Sequence, residues 1–176
     1  MVTTNGLAIH FGCWYLREKI KSYKTRILKL QQWKNNQSVI KWFNGLSNKQ
    51  KLSFIQFDMV NFYPSISEAL LHNAIEWASE HVNISEEDKE IIFQSKKALL
   101  YNKDQPWKKK GQSFFDVGMS SYDGAETCDL VGLYLLYQTQ HLGLGMGLFR
   151  DDGLAASNKT AIQTEILQGK WITNYN

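Results

Sequence analysis

Two stretches of this sequence place carboxylates where chemistry could use them. Gly147-Leu-Phe-Arg-Asp-Asp-Gly-Leu-Ala-Ala156 sets Asp151 and Asp152 side by side between short apolar runs, with Gly153 directly behind them. Asp-Gly between apolar flanks reads as a β-hairpin tip, because the turn wants φ > 0, which glycine supplies freely and aspartate tolerates. Most Asp-Gly turns are only turns, and a second stretch changes the reading. Phe54-Ile-Gln-Phe-Asp58 delivers a third carboxylate at the end of a strongly apolar strand. An unpaired charge in such surroundings is expensive, so a metal partner is the economical explanation. Together the two stretches propose a two-metal site built on Asp58, Asp151 and Asp152.

The elements that must position these carboxylates are sharply punctuated. Ser53 to Met59 is β-prone, and period two puts Phe54, Gln56 and Asp58 on one face and Ile55, Phe57 and Met59 on the other. Pro64 is expected to hold Tyr63 extended. Ser65-Ile-Ser-Glu68 has capping-box spacing and opens a helix through Leu70, Leu71, Ala74, Ile75 and Ala78. Ser85 and Asp88 open another, with a stripe through Ile91, Ile92, Ser95, Ala98 and Leu99 that reads as an ordinary packing face. A polar loop carrying Lys108, Lys109 and Lys110 follows; it reads as solvated, with contact to nucleic acid as the other use. Phe114 onward predicts a short strand, a small-residue loop and a helix with Asp123 at its N-cap and Glu126 at N3. That helix, through Leu130, Val131, Leu133, Leu135 and Leu136, is apolar nearly all round and should lie buried under the carboxylates.

Upstream, apolar residues at 16, 20, 23, 27 and 30 form one helical stripe ringed by Lys21, Lys24, Arg26 and other cations. The pattern breaks at Gln32, and a short helix from Ser38 to Leu46 is ended by Gly45. Trp33, Trp42 and Phe43 read as core. Downstream, residues 157–176 read as one helix and a tail.

At 176 residues and 43% hydrophobic, the chain is one domain's worth of folding sequence. Its two cysteines, Cys13 and Cys128, cannot make a disulfide framework, so a reducing, intracellular setting is expected. The histidines lack zinc spacing. Met1 to Gly12 lacks the pattern of a signal peptide, and the apolar run from Leu130 to Tyr137 is too short to span a bilayer, so no membrane role is expected. The net charge of +3 conceals a split: residues 1–57 hold ten Lys/Arg against one acid, the remainder ten against sixteen. A basic arm and an acidic body suit phosphate contacts on one side and metal-holding carboxylates on the other, although a solvated helix face explains the arm equally well.

On these residues the chain resembles the palm domain of reverse transcriptases. Asp58-Met-Val-Asn-Phe-Tyr63 is similar to motif A, an aspartate followed four and five residues on by aromatics. Phe149-Arg-Asp-Asp152 is similar to motif C, and the 92 residues from Asp58 to Phe149 leave room for motif B between them. The likeness covers residues 35–156 and is nearest the group II intron, non-LTR, Penelope-like and telomerase side of the family. It implies an α+β fold, an antiparallel palm sheet of a right-hand polymerase backed by helices, with a partial helical fingers region. The division implied is a basic fingers-like part at 1–52, a palm at 53–158 (motif A 54–66, motif B 114–132, motif C 147–156) and a truncated tail at 159–176.

The activity implied is RNA-directed DNA polymerisation with template-primer nucleic acid and dNTPs as partners; no protein partner is predictable. Two Mg²⁺, for which Mn²⁺ substitutes, would be bridged by Asp58 and Asp151, assisted by the Met59 carbonyl and supported by Asp152. Phe62 or Tyr63 would lie under the incoming ribose, and Gly118, Ser120 and Gly124 would let backbone approach the nucleotide. Lys21, Lys24, Arg26 and Lys108 to Lys110 are the cations expected to track phosphates. The chain departs from the family at motif B, which lacks Gln-Gly and Ser-Pro and carries Met119-Ser120-Ser121 instead. The primer grip and thumb that normally follow motif C are missing, so the sequence reads as a fragment or truncated copy. A non-catalytic nucleic-acid-binding remnant and a metal-dependent nuclease therefore stay open beside the polymerase.

Overall fold

The computed structural model describes residues 30–97, 100–103, 105–107, 114–119, 121, 123–140 and 145–158. The helical stripe before residue 30, the cations Lys21, Lys24, Arg26 and Lys108 to Lys110, Ser120, and the tail beyond residue 158 lie outside them. The elements run β1 (Gln31–Gln32), α1 (Asn36–Gly45), β2 (Ser53–Asp58), α2 (Phe62–Ser65), α3 (Glu68–Ser79), α4 (Glu86–Ser95), β3 (Leu100–Asn102), β4 (Gln105–Trp107), α5 (Gly124–Thr139), β5 (Gly145–Phe149) and β6 (Asp152–Ser157). The fold is α+β. Its main sheet has the order β1-β5-β6-β2, and β3 and β4 form a separate two-stranded ribbon.

The β5–β6 hairpin and the β6–β2 pair are antiparallel, as the alternating pattern requires, but β1 joins β5 in parallel. The sheet is therefore mixed rather than wholly antiparallel. Two residues suffice for this edge because Trp33 anchors it: its N–H donates to the Leu148 carbonyl at 2.6 Å, and its ring fills the space over Gly147 where any Cβ would overlap it. Gln32 fixes the edge from the other side, Nε2 donating to the Asp129 carbonyl at 2.7 Å.

Serine caps open α3 and α4, one of them displaced from its expected position. Ser85 caps α4 as expected, its Oγ accepting from Asp88 N–H at 3.1 Å and donating to Asp88 Oδ2 at 2.7 Å. For α3 the cap is Ser67, which accepts from Leu70 N–H at 3.1 Å, and not Ser65. Ser65 is already spent as the last residue of α2, its N–H donating to the Asn61 carbonyl at 2.9 Å. Tyr63 is helical rather than extended for the same reason. Pro64 is the third residue of a one-turn helix, where its missing N–H falls among groups that have no intrahelical partner anyway. Ser67→Ala should thus cost about 1 kcal/mol in urea denaturation and Ser65→Ala almost nothing; equal losses would return the cap to Ser65.

The core lies between the sheet and α3 and α5. Leu71, Ala74, Ile75 and Ala78 of α3 are buried with Cys128, Val131, Leu135 and Leu136 of α5 and Leu148 of β5. Helix α5 is buried on almost every side, as its sequence predicts. Among the described residues no helix is long and apolar enough to cross a membrane.

Candidate functional site

Register decides which side chains share a face. Phe57 lies opposite Gly153, which lies opposite Leu148, and Ile55 lies opposite Ala155 and then Met146, so these residues make the face turned to the helices. The other face carries Phe54, Gln56 and Asp58 on β2, Asp152, Leu154 and Ala156 on β6, and Gly145, Gly147 and Phe149 on β5. Half of it is covered by aromatics. Trp33 stands over Gly147, Trp42 approaches Gly145 and packs on Trp33 with ring centroids 5.2 Å apart, and Phe43 packs on Phe54 at 5.5 Å. The end bearing Asp58, Asp152 and Phe149 is left exposed.

At that end Asp58 and Asp152 are directly opposite each other across β2 and β6. Met59 N–H donates to the Asp151 carbonyl at 3.0 Å. That bond makes the Asp58–Asp152 position a non-hydrogen-bonded pair, the kind in which facing side chains come closest. Like charges directly opposite are destabilising. Asp151 occupies the turn itself, half-buried. The Met59 carbonyl accepts from Phe62 N–H at 3.1 Å, which uses one of its two lone pairs and leaves the other for a ligand.

The hairpin turn is not the one expected. Phe149 pairs with Asp152, so the turn is Arg150-Asp151, and the positive φ falls on Arg150, at 56°. Gly153 lies inside β6 and takes no positive φ; it is glycine because a Cβ there would overlap the Phe57 ring. Asn61, at φ 53°, is the other non-glycine residue with positive φ beside this edge, launching α2 just past Asp58. Such conformations cost of order 1–3 kcal/mol and persist where the surroundings over-determine them, often at functional sites. Arg150, unremarked in the sequence, is exposed with its guanidinium 5.9 Å from the Phe149 ring centroid.

Beneath the edge, Phe62 and Tyr63 are both buried at 6% exposure. Burial, and then the neighbouring Cys128, hold the Tyr63 hydroxyl above the usual phenol range, while Arg150 pulls the other way and Asp151 adds to the rise. Burial pushes the Cys128 thiol up to about 12, although the Tyr63 hydroxyl beside it pulls the other way. Cys128 is thus a buried core thiol that stays protonated at neutral pH.

The expected motif B loop is held by its own small residues. The Gly118 carbonyl accepts from Ser121 N–H at 3.0 Å and Ser121 Oγ at 2.8 Å, and Gly124 has no room for a Cβ beside that carbonyl and Ser121 Oγ. The short strand before it is reduced to a single bridge, Lys97 with Phe115. Asp123 stands at the N-cap of α5 without capping it, because its carboxylate is turned to Lys96 and Ser95. Lys96 escaped the sequence reading entirely: a lysine at a helix end reads as solvated, and nothing local signals its burial.

The carboxylates at the exposed edge offer oxygen, the ligand type that Mg²⁺ and Mn²⁺ favour. Among the described residues no group of three or more His, Cys, Asp or Glu side chains is gathered as a ready-made cation cage. Compared with protein-family models, with curated proteins and with solved structures, the chain finds no match. What fold and site define is an α+β domain with a mixed four-stranded sheet whose open face ends in opposed carboxylates.

Proposed function

We propose that this chain is the palm of an RNA-directed DNA polymerase, extending a DNA primer by two-metal nucleotidyl transfer. One observation carries the reading: Asp58 directly faces Asp152 on the exposed sheet end, beside Asp151 in the turn. Two strand-borne acidic segments 92 residues apart in the sequence meet there, in the order the polymerase motifs require. Asp58 and Asp151 would hold the ions, with Asp152 in support and the Met59 carbonyl as a further oxygen. Ions bound there would supply charge neutralisation for the transfer. The protein's part is to hold these carboxylates on a rigid strand pair, to cradle the nucleotide with Gly118, Ser120 and Gly124, and to bind template-primer phosphates through Lys21, Lys24, Arg26 and Lys108 to Lys110.

Primer extension on RNA and DNA templates with Mg²⁺ or Mn²⁺ tests the proposal. Extended primer supports it. Shortened primer makes the site a nuclease, and salt-sensitive binding without either product makes the chain a binding remnant.

Sugar choice follows from Tyr63. Five residues after Asp58, where the polymerase resemblance puts an aromatic under the incoming ribose, its ring would collide with a 2′ hydroxyl, so dNTPs are expected to be preferred. Both aromatics are equally buried, so truncating either should destabilise the fold by roughly 3–5 kcal/mol, but only Tyr63→Ala or Tyr63→Gly should also admit ribonucleotides. The readout is the ratio of rNTP to dNTP incorporation. An unchanged ratio in the Tyr63 variants removes this residue from the nucleotide pocket.

A further inference from the structure

Lys96 is 1% exposed and ion-paired with Asp123, itself 5% exposed. The Ser95 hydroxyl is shared between the Ile92 carbonyl at 2.6 Å and Asp123 Oδ2 at 3.2 Å. The Lys96 backbone carbonyl accepts from Asp116 N–H at 2.9 Å, and Lys97 bridges Phe115. Residues 95–97 therefore grip both feet of the loop between Phe115 and Asp123, one foot through backbone and the other through side chains. A buried ion pair is a poor device for stability alone, since desolvating both charges offsets most of their attraction and apolar replacements often serve as well. What such a pair supplies here is position.

The gripped loop is closed by Gly118 and Ser121 and holds Met119 out at 76% exposure. Past its second foot α5 begins, and it packs against α2, just beyond Asp58, and against β5, which runs into the Asp151 turn. The loop's second foot is thus the start of the helix against which β5, the hairpin partner of the Asp152 strand, is packed. We propose that Lys96 is a positioning residue: through Asp123 it sets the small-residue loop against the start of α5, and so sets the nucleotide-facing backbone relative to the carboxylates. The inference rests on the polymerase reading for its function but not for its geometry.

The test uses the full chain with Lys96→Met and, because a lone buried carboxylate can prevent folding, also Lys96→Met/Asp123→Leu, which leaves no buried charge. Amide hydrogen exchange is followed at Asp116, Ser121 and Gly124, with dNTP KM and kcat measured in parallel. In either variant Ser121 and Gly124 should exchange at least about tenfold faster, while Asp116, bonded to the Lys96 backbone, changes far less. The KM for dNTP should rise about tenfold, with kcat falling less. Unchanged exchange at Ser121 and Gly124 overturns the inference, as does equal acceleration at all three amides and through α4 and α5, which would mark general destabilisation. If the unmodified chain extends no primer, the polymerase reading fails by itself, and the exchange pattern alone decides whether Lys96 holds the loop.

Discussion

Asp58→Asn and Asp151→Asn should each bring primer extension to background, a loss on the order of 10³-fold or more, while Asp152→Asn keeps partial activity. Asparagine preserves the volume and leaves the strands paired, so the change isolates charge. Removing a ligand shared between two cations takes away both of their roles at once. Stability supplies a readout independent of activity. Asp58 and Asp152 face each other as like charges, so without divalent metal Asp58→Asn and Asp152→Asn should each stabilise the fold, by about 0.2–1 kcal/mol. Mg²⁺ should raise the Tm of the unmodified chain, because a ligand that binds only the folded state stabilises it by mass action. It should raise that of Asp58→Asn much less. Near-normal extension by the Asp58→Asn protein would end the two-metal reading, and a Mg²⁺-independent Tm would do the same for the metal site.

The second large effect is expected at Gly153. A Cβ there overlaps the Phe57 ring, which is held by the pairing of Phe57 with Gly153 and packs against the core. Gly153→Ala must push ring or strand aside, at a cost of about 1–3 kcal/mol. In a chain of this size each kcal/mol lowers the Tm by about 2–4 °C. The shift is passed to the next pair along, Asp58 with Asp152, so activity should fall with stability. Phe57→Leu in the same chain removes the obstructing ring edge and should recover part of the loss, giving a coupling of about 0.5 kcal/mol or more. A glycine needed only for turn geometry would show no coupling to residue 57. Thermal unfolding of the four proteins of this cycle distinguishes the two, and additive effects would return Gly153 to the turn.

Sequence by itself determined whatever rests on neighbours a few residues apart. The Ser85 cap with Asp88, the alternation that puts Phe54, Gln56 and Asp58 on one face of β2, the all-round burial of α5 and the existence of the β5–β6 hairpin follow from periodicity and local hydrogen bonding. That this face is exposed does not: Asp58 meets water and not the costly apolar setting its strand suggested. Local rules also misled where two of them competed: Ser65 and Ser67 both precede a helix, and only the formation of α2 assigned the cap to Ser67. Tertiary structure decided what depends on partners far away in the chain. Gly153 is a glycine because of Phe57, nearly a hundred positions earlier, and the edge strand β1 exists because Trp33 and Gln32 find Leu148 and Asp129. Asp123 is turned from capping to ion pairing by Lys96, a lysine whose burial no local pattern announces. The opposition of Asp58 and Asp152 belongs to both levels: each strand could be read in isolation, but a slip of one residue in register would send one carboxylate to the other face, and only the packing of Phe57, Gly153 and Leu148 against the helices excludes that slip.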